Sequence, residues 1–302
     1  LQPYLEAVDA AEPGPQASME HVVAFQATAL SSADVLRRAR AYWGMLLKGV
    51  AAPTPVPMLA SHHAAASSVP RVSSLDEVSW TFTAQQAAEW RRLLSQSPYT
   101  PALLVQAAWA LVLARWAGIE DVVFGVVVSG RVAPLPGLDR MVGCAVNLIP
   151  VRACPSSNKG LQEWLQDMRT QSVASLEHVG TPLHLVQSWC DDMSAGERLF
   201  NTIVVMDTPD DALHGAAAGL AESSGVSISG VDFRSATSYP LTLYWRSTPT
   251  EHLPSVDTAV PRLCCSFSED LLPRAGVQAL AESVAHVVLQ LAAASTLSQP
   301  ST

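Results

Sequence analysis

Apolar positions along the chain switch repeatedly between strand and helix spacing, and the switches predict the elements. Val78–Phe82 predicts a strand. Thr83 with Gln86 three residues later forms a capping box, which opens a helix running to about Leu94. Thr100-Pro101 places an N-cap before proline at the first helical position. The helix Pro101–Ala117 is apolar almost all round, so it is expected to be buried and central, and Gly118 ends it. Asp121–Val128 is a β-branched run that reads as a strand buried on both faces, and Met141–Arg152 holds a second. Leu161, Trp164, Leu165, Met168 and Ser172 share one face of an amphipathic helix, and Thr181-Pro182 starts a short one. Further strands are expected at Leu199–Met206, Val226–Phe233, Tyr239–Arg246 and Arg262–Phe267, with a closing helix from about Gly276 to Ala293.

The beginning is less regular. Residues 1–35 are Pro/Ala-rich with weak periodicity. A short helix, Ala33–Lys48, follows with Ala41, Met45 and Leu46 on one side. Residues 51–74 hold Pro53, Pro55, Pro57 and Pro70 among many Ser and Ala, the composition of an extended linker. From about Ser79 onward the pattern reads as one compact unit without internal repeats. Helices mix with strands on a mostly buried sheet, so the class is α/β or α+β.

Composition narrows the function. Hydrophobic residues make up 49% of the 302 and charged residues 15%, against about 25% in typical soluble chains. That excludes wholesale disorder. With 18 Lys+Arg, a net charge of −9 and no run of basic residues longer than two, the chain is a poor match for a nucleic-acid backbone. The apolar stretch Ala107–Ala114, bracketed by Gln106 and Arg115, falls far short of a bilayer span, so no membrane partner is expected. Cys144, Cys154, Cys190, Cys264 and Cys265 form no C-x-x-C pair and are odd in number, which argues for a reducing, cytoplasmic setting. The start LQPYLEAVDA is neither Met-initiated nor a targeting signal, and the chain is expected to be a piece of something longer.

Candidate chemistry is sparse. His62-His63 would offer a general base, but Ala64, Ala65, Ala66, Ser67 and Ser68 follow and no carboxylate is near to orient a ring, so a solvated linker pair is expected. His178, His184, His214 and His286 lack ligand spacing with Cys or carboxylates, and no metal site is expected. Cys264 and Cys265 sit on opposite faces of a strand, as buried thiols. Ser129-Gly130-Arg131 directly follows a buried strand, where ligands gather in α/β proteins; an ordinary turn with a surface arginine fits equally. No nucleophile elbow, P-loop or dinucleotide fingerprint occurs.

Several segments together resemble one family. Leu104–Gly130 (LVQAAWALVLARWAGIEDVVFGVVVSG), continued by Arg131, is similar to its buried helix, strand and S-G-R turn. Gly137–Arg152 (GLDRMVGCAVNLIPVR) resembles its G-x-x-x-N-x-x-P-V-R block, and Glu177–Leu183 (EHVGTPL) its later His-containing block. Leu199–Thr202 resembles the L-F-x-T strand, Tyr239–Leu243 the F-D-L-T-L strand, and Ala41–Leu47 the helix ahead of the crossover, with Pro3–Val8 as a short block before it. Tyr239-Pro240 replaces the usual aromatic-Asp, and Cys144 a usual bulky apolar residue or proline. The chain is thereby identified as resembling the C-terminal part of condensation domains from nonribosomal peptide synthetases, within the chloramphenicol-acetyltransferase-like superfamily.

The resemblance implies a chloramphenicol-acetyltransferase-like lobe, a mixed sheet packed by helices. Its implied divisions are 1–50 as the end of a preceding lobe with the crossover helix, 51–75 as linker, 76–295 as the C-terminal lobe and 296–302 as tail. A complete member has two lobes across a cleft, where a carrier-bound acceptor amine attacks a carrier-bound donor thioester and an amide forms. The implied base belongs to an H-H-x-x-x-D-G motif of the other lobe. His62 and His63 fall on the wrong side of the crossover helix and lack its Asp, so no catalytic residue is carried over. Ser129, Gly130, Arg131 and Asn147 carry over as shaping the cleft. No directly bound cofactor is implied. Substrates arrive on the 4'-phosphopantetheine of peptidyl carrier domains, and the implied partners are the N-terminal lobe, those carriers and a neighbouring adenylation domain. A non-catalytic scaffold or docking relative is the alternative, and a CoA-dependent acyltransferase a weaker one.

Overall fold

The computed structural model describes residues 19–56, 75–132, 138, 143, 145–155, 159–194, 196–207, 237–248 and 260–296. Helices α1 (Met19–Ser31) and α2 (Ala33–Leu46) lead to strand β1 (Leu75–Thr81), then α3 (Ala84–Gln96) and α4 (Pro101–Ala117). Strand β2 (Val122–Ser129) and β3 (Val146–Ala153) precede α5 (Leu161–Leu176) and α6 (Leu183–Ser188). Strands β4 (Thr202–Asp207), β5 (Leu241–Thr248) and β6 (Val260–Ser268) come before α7 (Arg274–Thr296).

The local signals act where their chemistry places them. Thr83 and Gln86 make both halves of the capping box at the start of α3. Thr100 accepts from Leu103 N with Pro101 at the first turn of α4, and Gly118 closes that helix in the left-handed region at φ 68°.

The six strands form one mixed sheet in the order β1-β6-β5-β4-β2-β3. Strand β4 runs parallel to β2 and β5, and the other pairs are antiparallel. This is the expected mixed sheet packed by helices. Side chains alternate between two cores. Val122, Phe124, Val126, Val204 and Cys265 enter one core with α3, α4 and α7. Val123, Ile149 and Ile203 enter a smaller one with Ala39, Trp43, Leu47 and Val50. Cys264 and Cys265 point to opposite faces and both are fully buried.

Helix α4 carries eleven buried residues, as its apolar circumference predicts. Helix α7 is long and apolar enough by length and composition alone to cross a membrane, a feature the sequence reading did not flag. Its buried stripe, Val277, Leu280, Val284, Val288 and Leu291, packs in the larger core.

Three expectations need correction. Residues 19–31 form a helix where only weak periodicity was legible. Helix α2 buries Ala39 and Trp43, while Ala41 and Met45 face outward, Met45 at 75% exposure. The strand expected over Leu199–Met206 starts only at Thr202, whereas Met141–Arg152 does hold its expected strand, which starts at Val146. The expected strand Val226–Phe233, the block Pro3–Val8, His214 and Cys144 lie outside the described residues.

Strand β3 is fastened on the side away from β2. The Gln171 amide donates to Arg152 O at 2.7 Å and accepts from Arg152 N at 3.1 Å. The Asn147 side chain accepts from Leu148 N at 2.8 Å.

Candidate functional site

The β2–β3 hairpin carries the residues singled out in the sequence at its tip, where Ser129 pairs with Val146 and Val128 with Asn147. Gly130 N donates to Ala145 O at 2.6 Å. A Cβ at Gly130 would stand 2.2 Å from that same oxygen, so the closure requires glycine. Ser129 Oγ accepts from Arg131 N at 3.3 Å. The Arg131 guanidinium donates to Leu138 O at 2.8 Å and Gly143 O at 3.0 Å, spanning the connection between the strands. Asn147 Nδ2 donates to Val179 O at 2.6 Å and Thr181 O at 3.1 Å. It thus ties β3 to the turn of Glu177–Leu183. The structure therefore brings Ser129, Gly130, Arg131 and Asn147 together, and each directs polar atoms at backbone. Such contacts fix shape; they assemble no nucleophile beside a base. His62 and His63 lie outside the described residues.

The turn held by Asn147 carries His178. Its ring stacks on Tyr42 of α2 at 4.6 Å between centroids and 28° between planes, and Trp43 meets it edge-on at 6.4 Å. Tyr42 Oη lies 2.7 Å from Ser175 Oγ. Burial pushes the Tyr42 phenol up, against the Ser175 hydrogen bond. Burial also holds the His178 imidazole below its ordinary value, with Glu177 opposing and Arg38 reinforcing. With a folded value below the unfolded one, the unfolded chain takes the proton first as pH falls past about 6.5. Stability is thus expected to decline from about pH 6.5 down to the folded value and to level off below it. Denaturant midpoints from about pH 7.5 to 5 for wild type and His178→Asn check this; parallel curves would remove His178 as the cause.

Arg152 forms the second junction. Its Nε and Nη2 grip Asp121, with Nη2 at 2.6 Å from Oδ2, while Nη1 donates to Leu46 O at 2.9 Å and Lys48 O at 2.8 Å. The Arg152 hydrogen bond holds the Asp121 carboxyl below its usual range. An arginine at the end of α2 satisfies carbonyls that lack helical partners and complements the helix dipole. Sequence reading missed this junction, because Asp121 and Arg152 stand 31 residues apart and their backbone targets over a hundred.

Three resembling blocks meet nearby. Phe200 stacks on Tyr239 at 5.5 Å, and a Cβ at Gly125 would stand 2.4 Å from the Phe200 ring. Among the described residues no group of three His, Cys, Asp or Glu side chains is placed to hold a metal ion. His184 and His286 are exposed, His286 beside Gln290. Two surface cavities lie away from the hairpin tip. One of about 510 Å³ is lined by Arg40, Gly44, Lys48, Trp189 and Asp192, the other of about 820 Å³ by Leu111, Trp116, Ile119, Val287 and Leu291.

Comparison with known proteins adds to this geometry. The family model described as "Condensation domain" matches residues 9–299. One of the linear gramicidin synthase proteins of Brevibacillus parabrevis is 32% identical over 215 residues, which are 71% of this chain and 4% of that protein. The chain thus spans a few per cent of the length of such relatives. Among solved structures, the X-domain in complex with OxyB from teicoplanin biosynthesis superposes with a TM-score of 0.65 at 18% identity, covering 85% of this chain and 53% of that one. The starter condensation domain of rhizomide synthetase, in complex with C8-CoA, gives 0.67 at 19% identity, covering 92% and 57%. At such identities the two structures speak for the fold.

Proposed function

Since the chain belongs to the condensation domain family of nonribosomal peptide synthetases, we propose that it is the C-terminal lobe of a domain that joins a carrier-bound donor thioester to a carrier-bound acceptor amine. The acceptor nitrogen attacks the thioester carbonyl, the amide bond forms, and the carrier thiol leaves. Such a step gains from a base that takes the ammonium proton and from a rigid frame that aligns the two carriers' substrates.

One observation carries this division of labour. Ser129, Gly130, Arg131 and Asn147 direct polar atoms to backbone, which supports a shape-setting role for the hairpin tip as a wall of the proposed cleft. The base comes from the other lobe, and no residue of this chain is assigned to catalysis. The substrates stay on the 4'-phosphopantetheine arms of carrier domains, which dock together with the N-terminal lobe and a neighbouring adenylation domain in a cytoplasmic synthetase. The domain divisions at 50, 75 and 295 stand as part of this proposal.

The test is an amide-forming assay with aminoacyl and peptidyl carrier domains. This chain alone is expected to give no product above the uncatalysed rate, and the two-lobed domain to give amide. Product from this chain alone would sink the assignment of the base to the other lobe. A second reading has one observation behind it. The X-domain neighbour was solved in complex with OxyB, so a domain of this fold holds a partner protein. An inactive two-lobed domain that still binds carriers would favour that reading.

A further inference from the structure

The sheet ends on one side at β1, and the backbone groups along that strand are not all alike. Phe82 N donates to Pro261 O at 3.2 Å, so the even-numbered residues of β1 turn their N–H and C=O toward β6. Leu75, Glu77, Ser79 and Thr81 turn theirs outward. At Glu77 both groups are occupied: its N–H donates to Asp76 Oδ1 at 2.8 Å, and its C=O accepts from Arg274 Nη2 at 3.2 Å. Arg274 pairs with Asp76 as well. Just past the strand, Thr83 N donates to Gln86 Oε1 at 2.9 Å. Ser79 and Thr81 lie between these two blocked positions. Both are exposed, and among the described residues nothing bonds to their outward N–H and C=O groups. The Arg262 guanidinium reaches Ser79 but donates to its hydroxyl, at 3.0 Å.

An outer strand is ordinarily blunted along its length by charge, proline or a covering element. Here the blunting stops on either side of a window centred on Trp80. That window is complementary to itself. A two-fold axis sets two copies of β1 antiparallel, as an isologous contact requires. With the axis at Trp80, Ser79 stands opposite Thr81 of the second copy, and Thr81 opposite Ser79. Each pair exchanges two hydrogen bonds, so all four open groups of each copy are used. Sliding by one pair sets Ser79 or Thr81 opposite itself and the other against a blocked Glu77 or Thr83. One antiparallel register across the window therefore satisfies everything.

The side chains agree with that register. Ser and Thr are favourable neighbours across strands, and the half-buried Trp80 meets its own copy at the site between the bonded pairs. Charges agree too. Glu77 of one copy comes beside Thr83 of the other, the N-cap of α3, whose first turn carries no acidic residue. A carboxylate is favourable at a helix N-terminus, and the two Glu77 side chains stay far from each other.

We propose that the Ser79–Thr81 edge of β1 is a docking surface for a second copy of this chain, which joins two six-stranded sheets into one of twelve strands. The contact is short, so the dimer is weak and reversible, with a dissociation constant on the order of 100 µM. It does not rest on the carrier chemistry, and its test needs no assay of activity.

Sedimentation equilibrium on the full 302-residue chain from about 5 to 500 µM is expected to show the mass rise from 32.1 kDa toward twice that value. Amide exchange at Ser79 and Thr81 is expected to slow over the same range, while Leu75 and Glu77 do not change. Thr81→Pro removes an N–H that faces away from β6, so β1 keeps its pairing within the chain. The variant deletes two of the four intermolecular bonds and is expected to weaken association roughly tenfold or more. Glu77→Lys places a cation beside the N-terminus of α3 in the second copy and is expected to weaken it severalfold. A wild-type chain that stays at 32.1 kDa throughout overturns the proposal. So does a dimer that Thr81→Pro leaves unchanged, since another surface would then hold it. Ser79 and Thr81 amides already protected at the lowest concentration would mean that another part of the chain covers the edge, which overturns it too. If Thr81→Pro does not fold, Glu77→Lys and the concentration dependence of the two amides decide.

Discussion

Trp43→Ala is expected to destabilise the protein by about 3–5 kcal/mol, a large share of the roughly 5–15 kcal/mol that holds a domain folded. The indole is fully buried in the smaller of the two cores, with Ala39, Leu47, Val123 and Ile149 among its companions. It meets Tyr42 edge-on at 4.8 Å and 72° as well as His178. A small core has few neighbours able to close over the void, so relaxation recovers little. The indole N–H is buried without a hydrogen-bond partner. Deleting it strands no acceptor, and Trp43→Phe is expected to keep most of the stability. Urea midpoints for the two variants check the pair. A loss below about 1 kcal/mol in the alanine variant would show that the smaller core does not hold α2 in place.

Gly130→Ala is the second large effect, and it acts on shape. The added methyl would lie 2.2 Å from Ala145 O, a backbone atom that also accepts the Gly130 N–H. A methyl on Cα has no rotamer that escapes, so the hairpin tip must move. Overpacking of this kind costs about 1–3 kcal/mol in stability. Displacement of the tip by about an ångström is expected to lower amide formation by the two-lobed domain about a hundredfold, as misplaced frames do. Gly44→Ala is the control. Nothing lies within 4 Å of a Cβ there, and inside a helix the change is expected to stabilise by about 0.5–1 kcal/mol. Equal activity in the two variants would mean that the tip does not border the reacting groups.

Local chemistry was legible in the sequence, and long-range partnership was not. Thr83, Gln86, Thr100, Pro101 and Gly118 act on groups within a few residues, so their effects could be read directly. Helix α2 offered two apolar stripes at helical spacing. One runs through Ala41 and Met45, the other through Ala39, Trp43 and Leu47. Spacing alone does not choose between them; the sheet face waiting for Trp43 does. Helix α1 was missed because its sequence shows little periodic contrast, and among its described side chains only Val22 is buried. Ser129, Gly130, Arg131 and Asn147 were found as residues. Their targets, the carbonyls of Leu138, Gly143, Val179 and Thr181, carry no mark in a sequence. The Asp121–Arg152 junction was hidden for the same reason.

The fastening along β3 has a consequence for how this molecule behaves at high concentration. The outer strand of a sheet is an open template, and a second chain can add to it and begin an aggregate. Hydrogen-bonding groups that face outward recur at every second residue, here at Leu148, Pro150 and Arg152. The Leu148 N–H is occupied by Asn147, proline has none to give, and Arg152 offers neither donor nor acceptor because Gln171 holds both. An incoming strand finds no donor along three successive sites, so β3 ends the sheet without seeding polymer growth.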